Sequence, residues 1–218
     1  MRNERKFEIG LIDWNGTLQN DLGHIYECGV QRIFRHFKLP CPSLDDYRNE
    51  VTADFMTSFY WPRGIPAEIS AADLNAIMSE GFKAKGVPAG VFADALGTMR
   101  KLRRRGYPLV LVSGYDSRKL AEAVARHGFT DLFEEVIGDA RDKPAVFADL
   151  LRKRGLSGSA AAVVGDTIED AAAAAAIGAV PFICPRGFHA IERILPLLIV
   201  VPNLVIVDDL RHLLPFFP

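Results

Sequence analysis

The second half of the chain alternates short apolar segments with amphipathic segments, and this alternation limits the fold more than any other feature. Helices are predicted at residues 92–104, 117–127, 144–154 and 168–177, each followed within two residues by a glycine. Strands are predicted at residues 109–112, 133–137, 161–164, 180–184 and 204–207. Strands that alternate with helices form a parallel sheet with helices on both faces, so the sequence predicts an α/β core.

The first strand is separated from this alternation by a long helical stretch. Residues 7–12 are apolar and end at a polar turn, Asp13-Trp14-Asn15-Gly16-Thr17. Residues 21–88 show helical spacing without strand alternation, with helices predicted from about residue 21 to 37 and at residues 44–60 and 70–85. We therefore predict a core domain of residues 1–18 and 90–218, and an inserted all-helical cap of residues 19–89.

Charge and cysteine content exclude several classes of protein. With 26 Lys and Arg against 27 Asp and Glu, the 218 residues carry a formal charge of −1, which offers no general attraction for nucleic acid or an anionic membrane. The three cysteines are widely spaced and form neither a disulfide framework nor a zinc motif. The N-terminus lacks the apolar segment of a secretory signal, and prolines interrupt the most apolar stretch, residues 194–207. We expect a cytoplasmic protein that binds neither nucleic acid nor membrane.

Polar residues cluster at the carboxyl ends of the predicted strands or just after them. In an open parallel sheet these ends converge on one crevice, where ligands bind. Structural turns with no shared role have no reason to meet at one edge, so we expect the clusters to form a single site. They are Asp13 to Thr17, Ser113 with Gly114, Lys143, and Asp166 with Asp170.

The order of these motifs resembles that of the haloacid dehalogenase superfamily. Its members carry an apolar strand followed by D-x-D-x-T, then a Ser or Thr, a Lys, and an acidic G-D-x-x-x-D motif. This chain has a signal for each of them in that order. The resemblance covers residues 7–18 and 92–210 and implies a Rossmann-like core. The helical insertion corresponds in position to the C1-type cap of phosphoglycolate phosphatase-like members.

The resemblance implies a Mg²⁺-dependent hydrolase that acts on a small phosphorylated metabolite. Asp13 would be the nucleophile that forms an aspartyl-phosphate, and Lys143 would neutralise charge on the phosphate. Carboxylate and carbonyl oxygens suit Mg²⁺, and hydroxyl and backbone N–H groups suit phosphate oxygens. The implied metal ligands are Asp13, Asn15, Asp166 and Asp170; the implied phosphate-binding residues are Thr17, Ser113, Gly114 and Lys143.

Asn15 departs from the motif, because the phosphatases of the family carry a second aspartate at this position. That aspartate protonates the leaving alcohol and then activates water. Asparagine cannot exchange a proton in this range, although its backbone carbonyl can bind Mg²⁺. General acid–base catalysis contributes about 10²–10⁴-fold in rate. We therefore predict a slowed phosphatase, or one that prefers good leaving groups such as acyl or aryl phosphates.

Asn15 also leaves other interpretations open. The D-W-x-G-T turn resembles that of phosphonoacetaldehyde hydrolase, in which a cap lysine forms a Schiff base, and this cap offers Lys38, Lys83 and Lys85. Haloacid dehalogenation also lacks the second aspartate, but it needs no metal. The chain could instead be an impaired relative that binds a phosphorylated ligand or a protein partner. An engineered Asp-to-Asn substitution would give the same sequence.

Two further features bear on partners. The basic run at residues 100–105 lies at the end of a predicted helix, where cations favour the helix dipole, and we interpret it as a solvated face. The apolar C-terminus can pack on the core or on a second subunit, so monomer and homodimer both remain open.

Overall fold

The computed structural model describes residues 6–52 and 54–218, so residues 1–5 of the predicted core domain lie outside the described part. The chain separates into two compact units. The first, which we call the core unit, contains the described residues up to 20 together with residues 91–218. The second, which we call the helical unit, contains residues 21–90.

A parallel sheet organises the core unit. The strands of the described chain are β1 (Ile9–Ile12), β2 (Gln19–Asn20), β3 (Gly90–Val91), β4 (Leu109–Val112), β5 (Glu135–Ile137), β6 (Ala161–Gly165), β7 (Val180–Ile183) and β8 (Val205–Ile206). Six of them form one sheet in the order β5-β4-β1-β6-β7-β8, and every pairing in it is parallel. β2 and β3 pair separately as a two-stranded sheet, which the sequence did not predict.

Both faces of this sheet are buried, which explains why its central strands are apolar throughout. Leu109 and Leu111 of β4 pack in a cluster on one face, together with Met99. Val110 and Val112 point to the opposite face and pack with Phe147. Side chains alternate between faces along a strand, so helices on both sides are needed to bury them. The sheet confirms the predicted α/β core.

The helices of the core unit follow the prediction closely near the sheet and less closely at the C-terminus. Numbered after the four helices of the helical unit, they are α5 (Ala95–Arg104), α6 (Ser117–Arg126), α7 (Lys143–Arg154), α8 (Ile168–Ala176), α9 (Ile191–Ile194) and α10 (Leu197–Val200). Two 3-10 turns lie at Gly158–Ala160 and Leu210–Phe216. α7 starts one residue earlier than predicted, so Lys143 is its first residue. The short helices after β7 were not predicted, because prolines and apolar residues there obscure the helical period.

The helical unit contains α1 (Leu22–Ile25), α2 (Gln31–His36), α3 (Leu44–Glu50) and α4 (Ala71–Lys85), with π-helical segments at Tyr26–Val30 and Met56–Tyr60 and a 3-10 turn at Trp61–Arg63. The single helix predicted over residues 44–60 is wrong, because the chain becomes extended at Val51. A new helical segment follows Asp54, whose carboxylate accepts a hydrogen bond from the Thr57 hydroxyl at 2.6 Å. β-Branched residues, and an aspartate whose side chain bonds to the following turn, favour such a break.

Candidate active site

The carboxyl end of β1 places Asp13 in the interior of the core unit. Its backbone N–H donates to the carbonyl of Val164 in the neighbouring strand at 2.9 Å, which extends the strand pairing by one residue. The chain then turns at Gly16, where φ is +71°, a conformation that favours glycine. The predicted nucleophile is therefore a buried carboxylate at the end of a central strand.

Lys143 connects two of the predicted carboxylates. Its Nζ lies 2.7 Å from Asp13 Oδ1 and 2.6 Å from Asp170 Oδ1. The ammonium is largely shielded from solvent, with 18% of its side chain exposed, and both partner carboxylates are more buried still. Charge-assisted hydrogen bonds in such surroundings are short and strong, so the three side chains hold one another in place.

Asp166 and Asp170 occupy the loop after β6 and the first turn of α8. Asp170 Oδ2 accepts hydrogen bonds from the Thr167 hydroxyl at 2.7 Å and from the backbone N–H of Asp166 at 3.2 Å. Asp166 Oδ2 accepts from the backbone N–H of Phe188 at 2.5 Å, and Asp166 Oδ1 accepts from the Thr17 hydroxyl at 3.1 Å. Each carboxylate thus has donors that fix its orientation.

One oxygen from each of Asp13, Asp166 and Asp170 lies within 4.8 Å of the others. With Lys143 as their cationic partner, the three carboxylates leave two negative charges in excess if all are ionised. Buried like charges of this kind are stable only when a cation offsets them. The donor set therefore fits a hard divalent cation with oxygen ligands, such as Mg²⁺.

The pKa values reflect this excess of negative charge. Burial raises the pKa of Asp13 to about 6 against the opposing effect of Lys143, and the Asp170 carboxylate adds to the rise. Burial, with repulsion from Asp13 and Asp170, raises the pKa of Asp166 well above its usual value. Burial also acts to raise the pKa of Asp170, but Lys143 and the donors of Thr167 lower it overall. A cation bound among them would favour the ionised form of all three.

Two glycines leave room for the Asp166 carboxylate. A Cβ added at Gly16 or at Gly187 would clash with Asp166 Oδ2. Both positions approach the same oxygen, so neither can carry a side chain without moving the carboxylate. Gly16 belongs to the predicted turn, whereas Gly187 and the neighbouring Phe188 N–H lie after β7, where no motif predicted a site residue.

Asn15 is held between Ser113 and Gln19. The Ser113 hydroxyl donates to Asn15 Oδ1 at 3.2 Å, and Asn15 Nδ2 donates to Gln19 Oε1 at 3.4 Å. The same Gln19 oxygen accepts from the indole N–H of Trp14 at 2.8 Å. Asn15 and Ser113, which lie 98 positions apart in the sequence, are thus brought together as predicted from the convergence of strand ends. Gln19 was missed, because it follows the motif and no pattern marks it.

The other predicted phosphate-binding groups differ in their surroundings. Gly114 is exposed after β4, and its N–H has no acceptor among the described residues. Thr17 is fully buried, and its hydroxyl donates to Asp166. The structure therefore leaves the Gly114 N–H available to a ligand and uses Thr17 to hold a carboxylate.

The lysines of the helical unit do not have the environment of a Schiff-base residue. Lys38, Lys83 and Lys85 are all exposed. The Lys85 ammonium lies 2.8 Å from Glu27, and the hydrogen bond to that carboxylate raises the pKa of Lys85. A lysine that forms a Schiff base needs a lowered pKa and a desolvated site, so no feature of these lysines favours the phosphonoacetaldehyde hydrolase interpretation.

The chain matches the family model described as haloacid dehalogenase-like hydrolase over residues 9–178. It therefore belongs to the haloacid dehalogenase-like hydrolases, as the order of its motifs predicted. A curated relative, the phosphoglycolate phosphatase of Aliivibrio fischeri, is 35% identical over 129 residues. That alignment covers 57% of this chain and 55% of the relative, so it spans about half the length of each.

Solved structures share the fold at low sequence identity. A predicted phosphoglycolate phosphatase from Haemophilus somnus superposes with a TM-score of 0.77 at 19% identity, covering 98% of this chain and 99% of the other. A haloacid dehalogenase-like hydrolase from Streptococcus pneumoniae gives a TM-score of 0.74 at 19% identity, with the same coverage of 98% and 99%. Within the described residues, none of the helices has the length and apolar character that a membrane span requires.

Proposed function

We propose that this chain is a Mg²⁺-dependent phosphatase that hydrolyses a small phosphorylated metabolite through an aspartyl-phosphate on Asp13. The observation that carries the proposal is the position of Lys143, which contacts Asp13 and Asp170 at the edge of the sheet where Asp166 also lies. The name of the curated relative supports a phosphate monoester as substrate and makes 2-phosphoglycolate the first candidate. We place this activity in the cytoplasm.

The proposed reaction has two steps at one phosphorus atom. An oxygen of Asp13 attacks the phosphorus, and the bond to the leaving oxygen breaks with its electron pair on that oxygen. The leaving oxygen takes its proton from water, because Asn15 has none to give. Water then attacks the phosphorus and releases a proton to solvent, the bond to Asp13 breaks, and inorganic phosphate leaves with the carboxylate restored.

The surrounding groups stabilise charge during both steps. Lys143 is cationic throughout, because the Asp13 and Asp170 carboxylates raise its pKa in spite of burial. Its ammonium, the Ser113 hydroxyl and the Gly114 N–H would donate to the phosphate oxygens. A bound Mg²⁺ would neutralise charge between the nucleophile and the phosphate, with the three carboxylates and the Asn15 carbonyl as its protein ligands.

Asn15 determines which substrates react fast. Without a general acid, the leaving oxygen departs carrying negative charge, so the rate depends strongly on how well it tolerates that charge. We therefore propose that acyl and aryl phosphates react faster than alkyl phosphates. The same residue favours the second candidate, a relative that binds a phosphorylated ligand or partner without turning it over.

The test is hydrolysis of p-nitrophenyl phosphate in Mg²⁺ and in EDTA. We expect turnover that requires Mg²⁺ and that Asp13→Asn abolishes. Asp149→Asn is the matched control, since Asp149 is an aspartate on α7 that pairs with Arg152 and Lys153 at the surface. Full activity in Asp13→Asn would show that the nucleophile is another residue.

A result without turnover is also informative. If the wild-type protein binds inorganic phosphate but hydrolyses neither aryl nor acyl phosphates in Mg²⁺, the binding function replaces the catalytic one. A panel of phosphorylated metabolites that begins with 2-phosphoglycolate would then identify the ligand by affinity instead of by product.

A further inference from the structure

The core unit contains a cavity of about 460 Å³. Its volume lies within the range of roughly 300–1,000 Å³ that small-molecule sites occupy. The residues that matter for its chemistry are Asp94, Gly97, Lys101, Arg186, Asp209 and Arg211. Within the part of the chain that the structure describes, its lining contains none of the candidate catalytic residues.

The charges around this cavity favour an anion. The two carboxylates of the lining each form a salt bridge with an arginine. Arg186 Nη1 lies 2.9 Å from Asp94 Oδ2, and Arg211 Nη2 lies 2.6 Å from Asp209 Oδ2. The Lys101 ammonium, by contrast, has no partner among the residues described here. An entering anion would therefore meet an unpaired cation, whereas an entering cation would meet carboxylates that are already neutralised.

Arg186 adds further donors. Its guanidinium lies over the Phe92 ring, 3.8 Å from the ring centre, which fixes its plane. Among the described residues, its acceptors are Asp94 and, at 3.4 Å, the Thr17 carbonyl, and its buried Nε has no acceptor there. Five N–H groups on one guanidinium thus share two acceptors, so a small shift of the side chain could direct donors to a ligand oxygen.

Gly97 of α5 lines the cavity without a side chain. Glycine inside a helix costs about 1 kcal/mol relative to alanine, so a structural reason for it is expected. Here a Cβ would meet no atom within 4 Å, so packing does not require the glycine. Gly97 is exposed and lines the cavity, so a side chain at this position would occupy open space beside it.

We propose that this cavity binds a small organic anion with a carboxylate or phosphate group, at a site separate from the candidate active site. Lys101 and Arg211 would meet the charged group at the rim, Arg186 would donate from the wall, and Gly97 would leave room for the body of the ligand. This site does not depend on the proposed phosphatase activity.

The test is a titration of the full chain followed by NMR at the backbone amides of Thr98 and Arg211, with sodium phosphate and sodium malonate as separate probes. We expect saturable shifts at both amides with at least one probe, and the probe that binds more tightly distinguishes phosphate from carboxylate. Lys101→Gln should weaken this binding about tenfold, the loss expected for removing one charge-assisted contact.

Two variants at position 97 complete the test. Gly97→Leu fills the cavity and should abolish the shifts, whereas Gly97→Ala adds a single methyl group and should retain them. The Gly114 amide reports phosphate at the candidate active site in the same samples and should respond equally in all variants. Shifts at Thr98 and Arg211 that grow without saturation, or that neither Gly97→Leu nor Lys101→Gln reduces, would overturn the proposal.

Discussion

The amide of Asn15 has a fixed orientation because of its neighbours. An indole N–H can only donate, so the Gln19 oxygen must face Trp14. That same oxygen also accepts from the Asn15 amide nitrogen, while the Asn15 amide oxygen accepts from the Ser113 hydroxyl. An ionised aspartate at this position would place oxygen against oxygen, but a protonated one could donate to Gln19. The network therefore suits asparagine and would hold a carboxyl group in its acidic form.

This network leads to a prediction for Asn15→Asp. A carboxyl group kept protonated beside Gln19 can give its proton to the leaving oxygen, so kcat/KM on alkyl phosphates should rise by about 100-fold, the lower end of the range for general acid–base catalysis. The measurement is kcat/KM for an alkyl phosphate and for a series of aryl phosphates whose phenols differ in acidity. For the wild-type protein, kcat/KM should fall steeply as the leaving phenol becomes less acidic, whereas for Asn15→Asp it should change little. Asn15→Ala is the control and should show the same steep dependence as the wild type. Equal slopes for all three proteins would mean that residue 15 takes no part in proton transfer.

Asp13 makes the stability of the metal-free protein depend on pH. Its pKa is raised from 3.8 to about 6 in the folded state, so the folded protein binds this proton more tightly than the unfolded chain does. The stabilisation is fully present below about pH 4 and is lost as the pH rises through 6, a change of about 3 kcal/mol.

Urea unfolding in EDTA at several pH values measures this effect. Between pH 4 and pH 7.5 the wild-type protein should lose stability relative to Asp13→Asn, which has no proton to release. Saturating Mg²⁺ should remove this difference in how the free energy of unfolding changes with pH, because a bound cation favours the ionised carboxylate. A wild-type protein that gains stability relative to the variant over this range would contradict the assigned direction.

At the scale of elements, the first turn of α8 connects helix stability to the metal site. Thr167 and Asp170 form a capping box, in which each side chain bonds to the backbone of the other. Asp170 is also a predicted metal ligand and the partner of Lys143. Thr167→Ala should therefore lower the free energy of unfolding by about 1 kcal/mol and also weaken Mg²⁺ binding.

The helical unit offers a matched control for this prediction. Ser70 and Asp73 form the same capping box at the start of α4. Ser70→Ala should cost a similar amount of stability and leave the affinity for Mg²⁺ unchanged, while Thr167→Ser should restore both properties. Calorimetric titration of Mg²⁺ together with urea unfolding distinguishes the two effects. Equal Mg²⁺ affinities in Thr167→Ala and Ser70→Ala would show that the cap does not position Asp170.

The elements around the site were predictable because one physical rule governs them. Strands buried on both faces are apolar throughout, and polar residues then mark where each strand ends. That rule located Asp13, Ser113 and Asp166 correctly at one edge of the sheet. It could not locate Gln19 or the Phe188 N–H, because their contacts depend on how loops from distant strands meet.

The helical unit shows where such reasoning fails. Gly81 of α4 lies so close to the Cys28 carbonyl that no Cβ fits between them. The segment Tyr26–Val30 that contains Cys28 is π-helical, so the helix predicted there is interrupted in its hydrogen bonding. π-Helical turns are rare and occur mostly as single-turn bulges within α-helices, so apolar spacing along one segment does not predict where one lies or which neighbour the segment packs against.

At the scale of the whole molecule, charge is balanced overall but concentrated locally. The chain carries a formal charge of −1, yet three buried carboxylates lie together at the candidate active site, and a single ammonium contacts two of them. This arrangement lowers the stability of the metal-free protein and makes a bound cation stabilising. Mg²⁺ at 100 times its dissociation constant would add about 2.7 kcal/mol to the free energy of unfolding.

Asp166→Asn distinguishes the destabilisation caused by repulsion among the buried carboxylates from the stabilisation that bound Mg²⁺ supplies. An asparagine side chain can keep both neighbours, since its oxygen can accept from the Phe188 N–H and its amide can donate to the Thr17 hydroxyl. The variant removes one of the buried like charges, so in EDTA at pH 7.5 it should be more stable than the wild type by about 1–2 kcal/mol. In Mg²⁺ the wild type should gain stability and Asp166→Asn should not, which brings the two proteins together or reverses their order. Asp149→Asn should follow the wild type in both buffers. If Asp166→Asn were less stable than the wild type in EDTA, the carboxylate at 166 would be a structural group whose hydrogen bonds outweigh its repulsion from Asp13 and Asp170.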